Sequence, residues 1–224
     1  MKKYHRLTIT ILALSLAGCY LPQNFNNQVQ VSRTGQYQVD VDTDVINGNL
    51  LASQNEAKAR KTEIPANELK KISADCEKIF YQTVAQDAKD GKHILSSKYL
   101  GECRGHLTLK YTGNIINEKN FDASITLPER GVASSQGFFI PVAMEYNAKT
   151  KQISIKSATH GDKDSISLYG SFQYNGKLSV KTDGKVISTN ADSKPYWGLI
   201  GSYKWAIEDL TTPNASMLIA TSGI

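Results

Sequence analysis

Residues 107–111 read Leu107-Thr108-Leu109-Lys110-Tyr111, and residues 36–44 read Gln36-Tyr37-Gln38-Val39-Asp40-Val41-Asp42-Thr43-Asp44. In both, apolar and polar side chains alternate, the period of a strand with one face buried and the other in water. The same period recurs in Phe121, Ala123, Ile125 and Leu127, in Ile140, Val142, Met144 and Tyr146, and in Tyr203, Trp205 and Ile207. Shorter runs at Ile153 and Ile155 and at Ile166, Leu168, Phe172 and Tyr174 follow it too. Asn47-Gly48 and Asp183-Gly184 are turn signals, and Asn175-Gly176 before Leu178 and Val180 is a two-residue hairpin signal. Parallel strands need long crossovers, so short strands with tight turns predict a curled antiparallel meander of about seven to nine strands. Pattern alone leaves open whether the sheet closes into a barrel.

One segment has a different period. Leu69, Ile72, Cys76, Ile79, Phe80 and Val84 recur at spacings of three and four between Pro65 and Asp90-Gly91. This predicts an amphipathic helix packed against the sheet, with Cys76 on its apolar face. The fold class is therefore α+β. The chain has 224 residues, 40% of them apolar and 21% charged. That suits one domain with a core and excludes a highly charged disordered chain.

The N-terminus carries the most specific signal. Lys2, Lys3 and Arg6 precede an apolar stretch from Leu7 to Ala17, the length of a signal-peptide core and too short to span a bilayer. It runs into Leu16-Ala17-Gly18-Cys19, which resembles the lipobox of bacterial lipoproteins. The resemblance covers only the leader. It implies cleavage before Cys19, a diacylglycerol thioether on the Cys19 sulfur and acylation of the new amine. By the same resemblance, Tyr20 in place of Asp after the lipidated residue points to the outer membrane, with the domain facing the periplasm. Most of the formal charge of +5 belongs to the leader's three basic residues. The mature chain lacks the basic excess expected of a nucleic-acid binder.

Residues 1–18 thus read as a lipoprotein signal peptide. Residues 19–35, rich in Asn and Gln, read as a flexible tether, and residues 36–224 as one β-rich domain. Of three cysteines, Cys76 and Cys103 remain after Cys19. In an exported chain they are expected to pair, closing a loop worth roughly 3 kcal/mol in the chain-entropy model.

Sites for chemistry are few. Asp40, Asp42 and Asp44 resemble the start of a calcium loop, but Val45 stands where its Gly belongs and Leu51 where its Glu belongs. On a strand they line one solvated face instead, about 6.8 Å apart. His160-Gly161-Asp162-Lys163-Asp164 has the composition of a turn. No HExxH, GxSxG, Walker A or GxGxxG occurs. No cofactor, metal or catalytic residue is assigned. Tyr196 and Trp197, in a Gly-bounded segment, are candidate partner-binding residues, with ordinary packing as the alternative. The expectation is a non-catalytic, membrane-anchored envelope lipoprotein that binds or positions a protein partner. A carrier of a lipid or small apolar ligand is the alternative, and an envelope hydrolase ranks below both.

Overall fold

The computed structural model describes residues 19–48, 65–89, 93–122, 125–126, 137–138, 142–157, 159–160, 174–196, 201–209, 212 and 214–221. Among them the elements run β1 (Cys19–Val31), β2 (Gln36–Asn47), α1 (Ala66–Lys89), β3 (His93–Gly101), β4 (Arg104–Asn114), α2 (Ile115–Glu118) and β5 (Asn120–Asp122). There follow β6 (Ile125–Thr126), β7 (Gly137–Phe138), β8 (Ala143–Asn147), β9 (Gln152–Lys156), β10 (Thr159–His160) and β11 (Gly176–Thr182). The last are β12 (Lys185–Thr189), β13 (Tyr203–Ile207) and β14 (Ser216–Ala220).

The large sheet has the order β13-β11-β1-β2-β4-β3, with β7 also pairing the start of β1. A second sheet runs β12-β14-β9-β8-β5, and β6 pairs with β10. Both larger sheets are open along these strand orders, so no barrel closes among the described residues. One apolar cluster joins them: Val39 and Leu109 of the large sheet share it with Met144, Ile155 and Ile219 of the small one. Phe121 of β5 meets Tyr37 and Tyr111 with ring centroids 5.4 Å apart in each pair.

The α+β class stands, with four corrections. The described strands are more numerous than the expected seven to nine, and they divide among separate sheets. The pairing is mixed, since β1 runs parallel to β11 and β7, and β6 runs parallel to β10. A second, short helix, α2, follows β4. Asn114 caps it, its side chain accepting from Ile116 N–H and Asn117 N–H, as an N-cap Asn does.

The largest correction concerns residues 19–35, expected as a tether. Residues 19–31 form β1, which lies between β2 and β11 near the middle of the large sheet. The reason is again period two. Tyr20 and Pro22 at its start and Phe25, Val29 and Val31 further along are buried, while Asn24, Asn26, Gln28 and Gln30 face solvent. Asn and Gln cost little on the wet face of an antiparallel pair, so composition hid the alternation. A bulge between Gln23 and Asn26, with Asn24 at φ 47°, shifts the phase and obscured it further.

Asn27 breaks the pattern. It is fully buried, and neither its amide nitrogen nor its amide oxygen has a hydrogen-bond partner. An unpaired buried amide costs about 1–3 kcal/mol. Asn27→Leu, nearly the same shape, is therefore expected to raise the unfolding free energy by about 1–2 kcal/mol in urea titration.

α1 touches the edge strand β3. Tyr99 N–H donates to Tyr81 Oη of that helix at 3.4 Å.

Candidate functional site

Cys19 opens β1, and its backbone is held in the sheet. Cys19 pairs with Gly137 of β7, and Tyr20 with Asn47 of β2. Tyr20 and Leu21, next along the chain, are both fully buried. The Tyr20 hydroxyl donates to Cys76 O at 3.2 Å, and its ring meets Phe80 edge-on at 5.6 Å. Burial pushes the Tyr20 phenol well above its ordinary value, with Asn47 pulling the other way and Tyr99 adding to the rise. Pulling these two residues out of the sheet would expose two large side chains, at about 1.5–3 kcal/mol each.

The other chain segments at this end are fixed by the same cluster. Asn47 N–H donates to Cys103 O at 2.9 Å, and Ile46 pairs with Arg104. The β3–β4 turn, Glu102 and Cys103, lies beside them with both residues at positive φ. Cys76 and Cys103 form the expected disulfide, with Cα atoms 5.0 Å apart. It pins α1 to that turn, while Tyr99 Oη donates to Ser73 O at 3.0 Å and accepts from Cys103 N–H at 3.0 Å. Replacing both cysteines with Ser is expected to cost about 3 kcal/mol of stability, read as a urea midpoint lower in the variant than in the oxidised wild type. An unchanged midpoint would mean the loop is already closed by packing alone.

A second feature lies on the outer face of the large sheet. A concavity of about 520 Å³ is lined by Asn26, Gln28, Lys177, Ser179, Asp192 and Lys204. Its wall is the segment after β12, held by Ala206 N–H donating to Asp192 Oδ2 at 2.7 Å and by the Ser193–Lys204 bridge. Asn190 Oδ1 accepts both Trp205 Nε1–H and Ser216 N–H at 2.8 Å, fixing the root of the segment. Tyr196 stands at its far end, 82% exposed. Its side chain is not part of the core. Trp197 lies outside the described residues.

Asp40, Asp42 and Asp44 are on β2, where the carboxylates alternate with buried Val39, Val41 and Thr43. That is the solvated face of a strand. His106 of β4 sits opposite, with Nδ1 3.0 Å from Asp44 Oδ1 and Nε2 3.7 Å from Asp42 Oδ1. Sequence reading gave His106 no place, because its partners lie about sixty residues earlier on another strand. Among the described residues no three His, Cys, Asp or Glu side chains gather as a metal site. Of the His160–Asp164 stretch, only His160, in β10, is described.

The sequence reading also missed the grip on the start of β1. Tyr20 served there only as a sorting signal, yet its ring anchors the strand to α1. The available signal was Tyr20-Leu21 followed by Phe25, Val29 and Val31.

No family model matches the chain, and no curated protein matches it. Among solved structures, the NMR structure of the folded domain of the Mycobacterium tuberculosis LppM protein aligns over 92% of both chains, with 9% identity and a TM-score of 0.40.

Proposed function

We propose that this chain is a bacterial envelope lipoprotein, anchored by acyl chains on Cys19, whose β-rich domain is non-catalytic and binds or positions a protein partner. The lipobox Leu16-Ala17-Gly18-Cys19 behind a charged and apolar leader carries the anchoring half. No described helix is long and apolar enough to cross a membrane. The outer membrane, facing the periplasm, is the proposed location, on the strength of Tyr20. The partner half rests on Tyr196, a large aromatic side chain held out from a braced segment beside the concavity. Exposed Tyr at a rigid site is a favoured contact residue because it adds area at small entropic cost.

The test is photocrosslinking in intact cells, with a benzophenone amino acid at position 196 of the lipidated protein. One discrete adduct at this site is expected, and none from the same group at Lys149, an exposed turn residue. Equal adducts from both sites, or none from either, would sink the role given to Tyr196.

The carrier reading has one observation in its favour, the unpaired buried amide of Asn27, which a ligand's polar group would satisfy. Native mass spectrometry of the chain exported without its lipid decides it. A bare mass is expected. An extra mass that leaves on denaturation, together with a destabilising Asn27→Leu change, would replace partner binding with ligand carriage.

A further inference from the structure

We infer that the domain is seated directly on the bilayer, with no leash, and that one end of the large sheet is its lipid-facing surface. The inference rests on the reading of Cys19 as the lipidated residue. A tether of 17 residues would give the domain a reach of about 20–25 Å. The structure leaves none: the backbone of residue 19 already pairs with β7, and residues 20 and 21 are wholly buried. Acyl chains on residue 19 therefore enter the membrane from the end of the sheet itself.

Among the described residues, five segments meet at that end. They are the start of β1, the paired β7, Asn47-Gly48 at the end of β2, the turn between β3 and β4, and the first turns of α1. The direction of α1 follows from its contacts. Ile72 O lies 3.9 Å from Cys103 Sγ, and Cys76 is bonded to Cys103, while Phe80 lies further along against Gly105. The residues before Ile72, including exposed Lys70 and Lys71, thus project beyond the sheet on the side of Cys19. Leu100, 45% exposed, lies at the same end. Arg104 Nη2 pairs with Glu102 Oε2 at 3.1 Å, which cancels the charge of that acidic side chain beside an anionic surface.

The opposite end holds the β1–β2 turn at Thr34 and Gly35 and the β11–β12 turn, joined by Arg33 N–H donating to Asp183 Oδ1 at 2.6 Å. From Cys19 to Val31 the strand spans about 35–40 Å, so the two ends differ greatly in their distance from the lipid.

The experiment uses the mature lipidated protein in vesicles of phosphatidylethanolamine and phosphatidylglycerol carrying an acceptor dye on a headgroup. A donor dye is placed on Lys70→Cys or, separately, on Thr34→Cys, both exposed positions; Lys71→Cys serves as a second near site. Energy transfer several-fold stronger from 70 and 71 than from 34 is expected. Inserting about 16 Gly and Ser residues between Cys19 and Tyr20, a reach of about 20–25 Å, should level the sites. Equal transfer without the insertion, from protein that floats with the vesicles, would overturn the seating and leave the anchor intact. Stronger transfer from 34 would overturn the orientation. Protein that fails to float at all would overturn the anchoring itself, and the seating with it.

Discussion

Phe80→Ala is expected to lower the unfolding free energy by about 3–5 kcal/mol, as large aromatic truncations in a core do. Phe80 is fully buried and sits where α1, β1, β3 and β4 meet. Its ring lies 5.6 Å from that of Tyr20, 5.3 Å from Tyr81 and 6.0 Å from Tyr99. It also rests on Gly105: a β-carbon there would stand 2.2 Å from Phe80 Cε2, so only glycine admits the ring. The alanine variant removes the ring from all of these neighbours at once and leaves a cavity that the disulfide-pinned helix cannot collapse to fill. With total stability of about 5–15 kcal/mol for a domain, such a loss takes a large share. Urea unfolding followed by far-ultraviolet circular dichroism measures it. Tyr81→Ala, at a residue 46% exposed, should cost much less. A Phe80→Ala cost below about 1 kcal/mol would mean that α1 is not docked on the sheet as described.

The helix behind this prediction was legible because Leu69, Ile72, Cys76, Ile79, Phe80 and Val84 fall together on one side of a 3.6-residue period. The strand β2 was legible for the same kind of reason: Tyr37, Val39 and Val41 alternate with carboxylates. β3 was not, because its alternation breaks at a bulge between Ile94 and Ser96, and Leu95 and Leu100 turn outward. Parallel pairing was invisible as well. Phe25 pairs with Gly176 across about 150 residues, and nothing in either local pattern records which distant strand lies beside it. Asp183-Gly184 was a correct turn signal with an unexpected outcome, since the chain there passes from β11 in one sheet to β12 in the other.

The candidate site divides along the same line. The Cys76–Cys103 pair was legible because export chemistry and an even cysteine count are compositional facts. The firm seat of Cys19 was not. Residues 20–35 carry so many Asn and Gln that composition argued for a solvated tether, while Tyr20, Leu21, Phe25 and Val29 were few enough to overlook. Composition counts both faces of a strand together, and a central strand with a wet outer face averages to something polar. Tyr196 was chosen as an aromatic residue in a Gly-bounded segment, and it is exposed.

Cys19→Ser is expected to abolish lipid attachment completely and to leave residues 1–18 on the chain. The thioether needs the thiolate carbon–sulfur bond, which a serine hydroxyl does not replace, and cleavage by the lipoprotein peptidase follows lipidation. Anchoring needs more than one chain, since each buried methylene contributes about 0.8 kcal/mol and a single acyl chain binds only marginally. Intact mass of the membrane fraction reads both events in one measurement, a loss of acyl mass and a gain of the leader. Detergent-phase partitioning adds the physical consequence. The variant removes no side chain of the apolar core, so the folded domain itself should keep its urea midpoint. A variant that partitions like wild type with the leader removed would place the anchor elsewhere. It would also withdraw the reason for setting that end of the sheet against the bilayer.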